Sequence, residues 1–210
     1  MAQLSSLYAI VDAKFFPSTE ELIDAAKDLI AGGCILIQYR NKSGNVRVML
    51  DQAIELRRQL RAGVPAPHEL RLIMNDRADM CLAADFDGVH VGQEDLSPEA
   101  VRKIIGPERW LGVSTHNPEQ LHEADLTSAD YLAIGPVFAT SSQDKPDPVV
   151  GLEGVRQARA LTRKPLVAIG GITRANAASV IEAGADSVAV ISDLLREPRK
   201  SAEEFFRILR

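Results

Sequence analysis

Eight short apolar runs, each followed by polar, acidic or glycine residues, constrain the fold of this chain more than any other feature. Between the runs, apolar residues recur at helical spacing, so the order is strand then helix, repeated eight times. Several runs are apolar at consecutive positions, which is typical of parallel strands covered by helices. Eight such units in 210 residues predict an α/β fold, a single (β/α)8 TIM barrel.

A doubly wound open sheet is the alternative arrangement of strands and helices. That fold usually carries a glycine-rich turn after its first strand, whereas here the first strand leads into Asp12-Ala13-Lys14. No linker or low-complexity segment divides the chain, so residues 1–210 are expected to form a single domain.

The composition limits which binding partners and which cellular compartment are expected for this protein. The net charge of -5 argues against nucleic acid or an acidic membrane as a partner, and no apolar run approaches the roughly 20 residues that span a bilayer. The first residues lack the features of a secretion signal. Cys34 and Cys81 have no metal-binding spacing and are interpreted as reduced core thiols. We therefore expect a cytoplasmic protein that acts on small molecules.

The end of the second strand carries two cations. Alternate residues of a strand share a face, so Gln38, Arg40 and Lys42 are expected to point together into the barrel mouth. Arg and Lys suit a phosphate group, Arg as a planar fork and Lys as a point charge. An ion pair with carboxylates in the same mouth is the alternative.

Carboxylates follow the third and fourth strands. Asp76 and Asp95 come from neighbouring strand ends and could share a hard cation. Magnesium prefers one or two carboxylates together with substrate phosphates and water, so this pair indicates a Mg²⁺ site. Alternatively, Asp76 caps the helix that follows it.

Glycines follow the seventh strand. In barrels of this class the loops after strands seven and eight often bind phosphate through backbone N–H groups, which favours Gly170-Gly171 and Ile191-Ser192 as an anion site. A tight turn is the alternative. Two anion sites across one mouth suggest two phosphorylated substrates that are joined. His90 is interpreted as a packed core imidazole, and Ser114 has no evident Ser-His-Asp partnership.

Seven motifs in one order make the chain resemble the thiamine phosphate synthase family. They are IQYRNK (37–42), MNDRAD (74–79), GVHVGQEDL (88–96), GVSTHN (112–117), GPVFAT (135–140), AIGGI (168–172) and AVIS (189–192). The resemblance implies a transferase that joins 4-amino-5-hydroxymethyl-2-methylpyrimidine diphosphate to 4-methyl-5-(2-phosphoethyl)thiazole and releases pyrophosphate.

The resemblance also implies roles for residues. Arg40, Lys42 and Ser114 would be catalytic, with Ser114 on the pyrimidine, and Asp76 and Asp95 would bind Mg²⁺. The substrate-binding set is Gln38, Tyr39, Arg40, Asn41, Lys42, Asn75, Ser114, Thr140, Ser141, Ser142, Gln143, Lys145, Gly171, Ile191 and Ser192. The implied mechanism is dissociative: the metal and the cations neutralise the leaving pyrophosphate, and the thiazole nitrogen captures the pyrimidine cation.

One position departs from the family pattern. The family usually has a lysine that touches the diphosphate where this chain has Gln143. A lost charge-assisted hydrogen bond costs about 1.5–3 kcal/mol. We expect Lys145, two residues further on, to restore part of this interaction.

Two rival functions remain open on the same barrel. A thiazole tautomerase typically carries a histidine where this chain has Pro136, and it lacks parts of the basic and metal motifs. A non-catalytic sensor of phosphorylated ligands is favoured only by Gln143. The family is often oligomeric, so a homo-oligomer is possible.

Overall fold

The computed structural model describes residues 4–62, 69–140 and 147–210. Eight parallel strands form a closed barrel in chain order, and the first strand pairs with the second and the eighth. The strands are β1 (Leu7–Asp12), β2 (Leu36–Arg40), β3 (Arg71–Asn75), β4 (Gly88–Val91), β5 (Trp110–Thr115), β6 (Tyr131–Ile134), β7 (Leu166–Ile169) and β8 (Ser187–Val190). The predicted (β/α)8 barrel is confirmed, and the open sheet is excluded.

A helix follows each strand. The helices are α1 (Thr19–Ala31), α2 (Val46–Ala62), α3 (Ala78–Ala83), α4 (Pro98–Ile105), α5 (Pro118–Asp125), α6 (Gly151–Leu161), α7 (Ala177–Glu182) and α8 (Pro198–Ile208), with a short 3-10 helix (Ala13–Phe15) after β1. Ser18 caps α1 by accepting a hydrogen bond from the Glu21 N–H at 3.2 Å. Ser97 and Asn117 cap α4 and α5 just before a proline, as the sequence predicts.

The apolar core has two layers. The larger layer fills the space between the strands and the helices, where residues such as Leu22, Leu56 and Phe205 are fully buried. The smaller layer lies inside the barrel and contains Tyr8 and Tyr131. The barrel interior is therefore closed by aromatic side chains beneath the mouth, and these side chains carry hydroxyl groups that need hydrogen-bond partners.

Three aspartates tie the N-terminal end of the barrel together, and we call them the aspartate clamps. Each lies just before an even-numbered strand. Each accepts a hydrogen bond at 2.7–2.8 Å from one backbone N–H, that of the first or second residue of the preceding odd-numbered strand. Each also pairs with an arginine of the helix before that odd-numbered strand. The clamps are Asp87 with Arg61 and Leu72, Asp130 with Arg102 and Leu111, and Asp186 with Arg159 and Leu166.

The two cysteines are buried free thiols, in agreement with the sequence-based interpretation. Burial raises the pKa of both Cys34 and Cys81 to about 12, so neither forms a thiolate readily. Of the helices within the described ranges, none combines the length and the apolar character that a membrane crossing requires.

Candidate functional site

The C-terminal ends of all eight strands surround one mouth of the closed barrel. Arg40 ends β2 and lies beside Asp12, the last residue of β1, in the parallel register of the two strands. The Arg40 guanidinium is hydrogen-bonded to the Asp12 carboxylate, which is 1% exposed. The alternative of an ion pair within the mouth is therefore realised for Arg40, and Asp12 is a site residue for which the sequence analysis assigned no role.

Lys42, Asp76 and Asp95 form a second charged group next to this pair. The Lys42 ammonium lies 2.6 Å from a carboxylate oxygen of Asp76. Asp95 accepts a hydrogen bond at 2.7 Å from the backbone N–H of Gly92. Burial raises the pKa of Asp95, and the negative charge of the neighbouring Asp76 carboxylate raises it further.

The backbone explains why Asp76 faces this group rather than the helix that follows. Asp76 has a positive φ of 61°, and its N–H donates to the carbonyl of His90 on β4 at 2.8 Å. Helix α3 has Arg77 at its N-cap, with no side-chain cap hydrogen bond. The alternative role of Asp76 as a helix cap is therefore excluded.

Tyr39 and Asn41 do not join this group, although the sequence-based set included them. The Tyr39 hydroxyl donates to the side-chain oxygen of Gln52 at 2.7 Å and lies 3.3 Å from the Met49 carbonyl oxygen, both on α2. The Asn41 amide donates to the same Gln52 oxygen at 3.0 Å. Alternate residues of β2 face opposite sides, so these two side chains lie on the helix side and hold β2 against α2.

A chain of polar side chains crosses the barrel interior beneath the mouth. Gln38 Nε2 donates to the Tyr8 hydroxyl at 2.8 Å, and the hydroxyls of Tyr8 and Tyr131 lie 3.0 Å apart. His90 Nδ1 lies 3.0 Å from the Tyr131 hydroxyl. His90 Nε2 lies 2.8 Å from Ser114 Oγ. We call these five residues the interior polar chain; both of its ends are residues that the sequence analysis placed in the substrate site.

The position of His90 agrees with two sequence-based interpretations and adds a contact to each. The imidazole is buried in the core, as predicted, and it also links the hydroxyl groups of Tyr131 and Ser114. Ser114 does have a histidine partner, although the other ring nitrogen meets a tyrosine and not a carboxylate, so no Ser-His-Asp triad forms. Burial lowers the pKa of His90 to about 4, against the opposing effect of the Asp76 charge, so the imidazole is neutral at pH 7.

The glycine pair after β7 forms a tight turn against the loop after β6. Gly170 and Gly171 have φ values of 100° and 63°, and a Cβ on Gly171 would lie 2.5 Å from the Ala139 carbonyl oxygen. The Phe138 N–H donates to the Gly170 carbonyl at 3.0 Å. The two glycines therefore form the tight turn that the sequence analysis gave as an alternative, and this turn brings the loops after β6 and β7 into contact at the mouth.

An ion pair joins the loops after β7 and β8. The Arg174 guanidinium contacts both carboxylate oxygens of Asp193, at 3.0 and 3.1 Å, and its backbone N–H donates to the same carboxylate at 2.9 Å. Arg174 also pairs with Glu204 of α8. The sequence analysis assigned Asp193 no role; the structure shows that it holds together the two loops that were predicted to bind phosphate.

The remaining residues of the predicted site differ in how far the structure describes them. Asn75 ends β3 and is half-buried, and Ile191 and Ser192 follow β8 at the same mouth. Thr140 is half-buried in the loop after β6. Ser141, Ser142, Gln143 and Lys145 lie outside the described residues.

The donors in the mouth fit a divalent cation. Asp76 and Asp95 come from adjacent strand ends, and the charge of Asp76 raises the pKa of Asp95, a repulsion that a shared cation would relieve. Within the described ranges no group of three or more His, Cys, Asp or Glu residues could hold a metal. A site with two carboxylates is what Mg²⁺ takes when substrate phosphates and water supply the other ligands.

The sequence is similar to known proteins over nearly its whole length. A family model described as thiamine monophosphate synthase matches residues 7–194. A thiamine-phosphate synthase of Koribacter versatilis is 60% identical over 210 residues, which cover 99% of this chain and 97% of that protein. A thiamine-phosphate synthase of Chloroflexus aurantiacus is 46% identical over 189 residues, which cover 89% of this chain and 83% of that protein.

Solved structures agree with these sequence matches. A thiamine phosphate pyrophosphorylase from Pyrococcus furiosus superposes with a TM-score of 0.84 at 34% identity, covering 97% of this chain and 95% of that one. A tryptophan synthase α-subunit from Pyrococcus furiosus reaches a TM-score of 0.72 at 14% identity, a likeness that concerns the fold alone.

Proposed function

Since the chain belongs to the thiamine monophosphate synthase family, we propose that it joins 4-amino-5-hydroxymethyl-2-methylpyrimidine diphosphate to 4-methyl-5-(2-phosphoethyl)thiazole. The enzyme is a transferase: the bond from the pyrimidine methylene carbon to the diphosphate oxygen breaks, and a bond from that carbon to the thiazole nitrogen forms. The products are thiamine phosphate and pyrophosphate. The substrates are phosphorylated small molecules.

The observation that carries this proposal is the charge arrangement at the ends of β1–β4. Arg40, Lys42 and the pair of Asp76 and Asp95 meet within one mouth, with cations and acidic metal donors in contact. A diphosphate that chelates a divalent cation matches both kinds of group at once. The half-buried Arg40 would exchange its contact with Asp12 for a contact with the diphosphate.

The chain's own residues would assist the departure of pyrophosphate by neutralising charge. Arg40 and Lys42 would stabilise the negative charge that grows on the leaving oxygen as the carbon–oxygen bond breaks. Asp76 and Asp95 would hold Mg²⁺, which supplies further charge neutralisation when it is bound. Ser114, at the end of β5, would contact the pyrimidine ring and orient it.

The opposite side of the mouth would bind the second substrate. The turn at Gly170-Gly171 and the first residues after β8 come together through the ion pair of Arg174 and Asp193. Backbone N–H groups in these loops would hold the phosphate of the thiazole, as is common after strands seven and eight of such barrels. Thr140, Ser142, Ile191 and Ser192 would complete this side. Capture of the pyrimidine cation by the thiazole nitrogen needs no side-chain base.

The test is to incubate the purified protein with both substrates and MgCl₂ and to measure thiamine phosphate by chromatography. Lys42→Met removes a cation whose side chain is 56% exposed, so the fold should survive. We expect the rate to fall roughly 10- to 100-fold, the value of one charge-assisted hydrogen bond. Lys103→Met changes an exposed lysine on α4 and should leave the rate unchanged.

The rival functions give different results in the same assay. A tautomerase would isomerise the thiazole without joining it to the pyrimidine, and a sensor would bind the ligands without forming either product. Either result would contradict the proposal. Cytoplasmic location and homo-oligomer formation remain predictions from the sequence, to be checked by fractionation and by sedimentation of the purified protein.

A further inference from the structure

The interior polar chain has a direction, because a hydroxyl group carries one proton. Gln38 donates its Nε2–H to the Tyr8 hydroxyl, so among these five side chains Tyr131 is the one remaining acceptor for the buried Tyr8 proton. The Tyr131 proton then goes to its remaining partner, His90 Nδ1. An imidazole that accepts at Nδ1 and is neutral carries its proton on Nε2, which it donates to Ser114 Oγ.

The chain is built into the barrel and is not a chance contact. Gly112 of β5 is in register with His90 on one side and with Tyr131 on the other. A Cβ on Gly112 would collide with the ring and hydroxyl of Tyr131 and with His90 Nδ1. The two side chains meet across β5 only because this position lacks a side chain.

The direction of the chain decides what Ser114 can do. Ser114 Oγ uses a lone pair to accept the proton of His90 Nε2, so the Ser114 hydroxyl proton is not consumed within the chain. Ser114 is half-buried at the end of β5, where it borders the mouth. A hydroxyl held in this way is a donor toward a ligand that offers an acceptor, such as a ring nitrogen of a pyrimidine.

We propose that Tyr8 and Tyr131 are positioning residues that fix His90 in the Nε2-protonated tautomer, so that Ser114 presents its hydroxyl proton to a ring nitrogen of the pyrimidine substrate. This proposal rests on the proposed function for the identity of the ligand. The tyrosines touch no substrate; they act through His90. With the opposite direction, Ser114 would donate to His90 and would offer the substrate only an acceptor.

The first test reads the tautomer directly. In protein labelled with ¹⁵N at histidine, long-range ¹H–¹⁵N correlation spectra distinguish a protonated ring nitrogen from an unprotonated one. We expect His90 to be protonated at Nε2 in the wild type and to lose this single tautomer in Tyr131→Phe. The exposed His122 serves as an internal control and should be unchanged. A proton on Nδ1 of His90 in the wild type would overturn the proposal.

The second test separates the two substrates. Tyr131→Phe should lower kcat/KM for the pyrimidine diphosphate roughly 10-fold, about the value of one hydrogen bond, and leave the KM of the thiazole phosphate unchanged. Thr115→Val is the matched control, since it removes a buried hydroxyl that donates to the Ala133 carbonyl at 2.8 Å on the same strand pair. It should leave both constants unchanged.

The outcomes distinguish this proposal from the proposed function. If the wild type makes no thiamine phosphate, the proposed function fails, and the histidine spectra still decide the direction of the chain. If the wild type is active and Tyr131→Phe disturbs the His90 tautomer but keeps wild-type kinetics, the positioning role is refuted. An equal rise in the KM of both substrates would indicate a general loosening of the barrel and would also refute it.

Discussion

The carboxylate of Asp12 neutralises the guanidinium of Arg40 across the register-paired ends of β1 and β2. Asp12 is almost fully buried, and the Arg40 side chain is 17% exposed. The Asp12 carboxylate therefore occupies the position beside Arg40 that the proposed diphosphate would take. Removal of one partner of a buried pair is costly because the other charge remains.

Asp12→Ala should therefore lower the free energy of unfolding by about 3 kcal/mol. Denaturant unfolding would measure this, and Asp24→Ala, which breaks an exposed pair with Lys27, should cost less than about 1 kcal/mol. Pyrophosphate should stabilise the Asp12 variant more than the wild type, because it replaces the lost anion. Equal stabilisation of both proteins would show that Arg40 does not bind the diphosphate.

Asp95→Asn should raise the Mg²⁺ concentration at half-maximal rate by about 10- to 100-fold, since a charged ligand is replaced by a neutral amide. Initial rates against MgCl₂ at saturating substrates would measure the shift. Asp79→Asn on α3 alters an aspartate that pairs with Arg77 nearby, and it should leave the midpoint in place. If the Mg²⁺ concentration at half-maximal rate were the same in Asp95→Asn and in the wild type, Asp95 would not be a ligand of the proposed metal.

Lys145→Ala should reduce the affinity for the diphosphate by about 10-fold or more if Lys145 replaces the charge that Gln143 lacks. The affinity can be measured by isothermal titration with pyrophosphate and Mg²⁺. Lys200→Ala removes an exposed lysine of α8 that pairs with Glu197, the residue before this helix, and it serves as the control. Unchanged rate and affinity in Lys145→Ala would contradict the hypothesis.

His90 should make stability depend on pH between about 6.5 and 4. Its folded pKa of about 4 lies below the ordinary value of 6.5, so in this window the unfolded chain binds a proton that the folded chain does not. Stability is then complete above pH 6.5 and falls by about 3 kcal/mol as the pH drops to 4. Unfolding curves of His90→Asn should show a smaller loss over this range, whereas His122→Asn should follow the wild type.

Asp186→Ala should lower the free energy of unfolding by about 2–3 kcal/mol, because it leaves the Leu166 N–H and the Arg159 guanidinium without their shared acceptor. Both KM values should remain unchanged, since this clamp lies at the end of the barrel opposite the mouth. Glu182→Ala, an exposed change on α7, should stay within about 0.5 kcal/mol. A changed KM would show that the two ends of the barrel are coupled.

The sequence predicted the barrel and the charged mouth well because both follow from short-range patterns. Apolar runs and helical spacing define the units, and the parallel arrangement brings residues such as Arg40 and Asp76 to one end. The alternation along β2 also separates Gln38 from Tyr39. Motif matching ignores this alternation, which is why it included Tyr39 and Asn41 among the residues that contact substrate.

The partnerships across strands could not be predicted in the same way. Whether Ser114 meets His90 depends on the register of three strands and on the absence of a side chain at Gly112. The contact between Arg174 and Asp193 depends on the paths of two loops. These distances are set by tertiary geometry, and no local pattern in the chain encodes them.

The aspartate clamps affect which parts of a sequence of this kind can vary during evolution. They secure strand starts and helix ends far from the mouth, using neither the loops nor the side chains that would meet a substrate. Insertions and exchanges in the upper loops can therefore accumulate without loosening the frame, and new ligand preferences can arise on an unchanged scaffold.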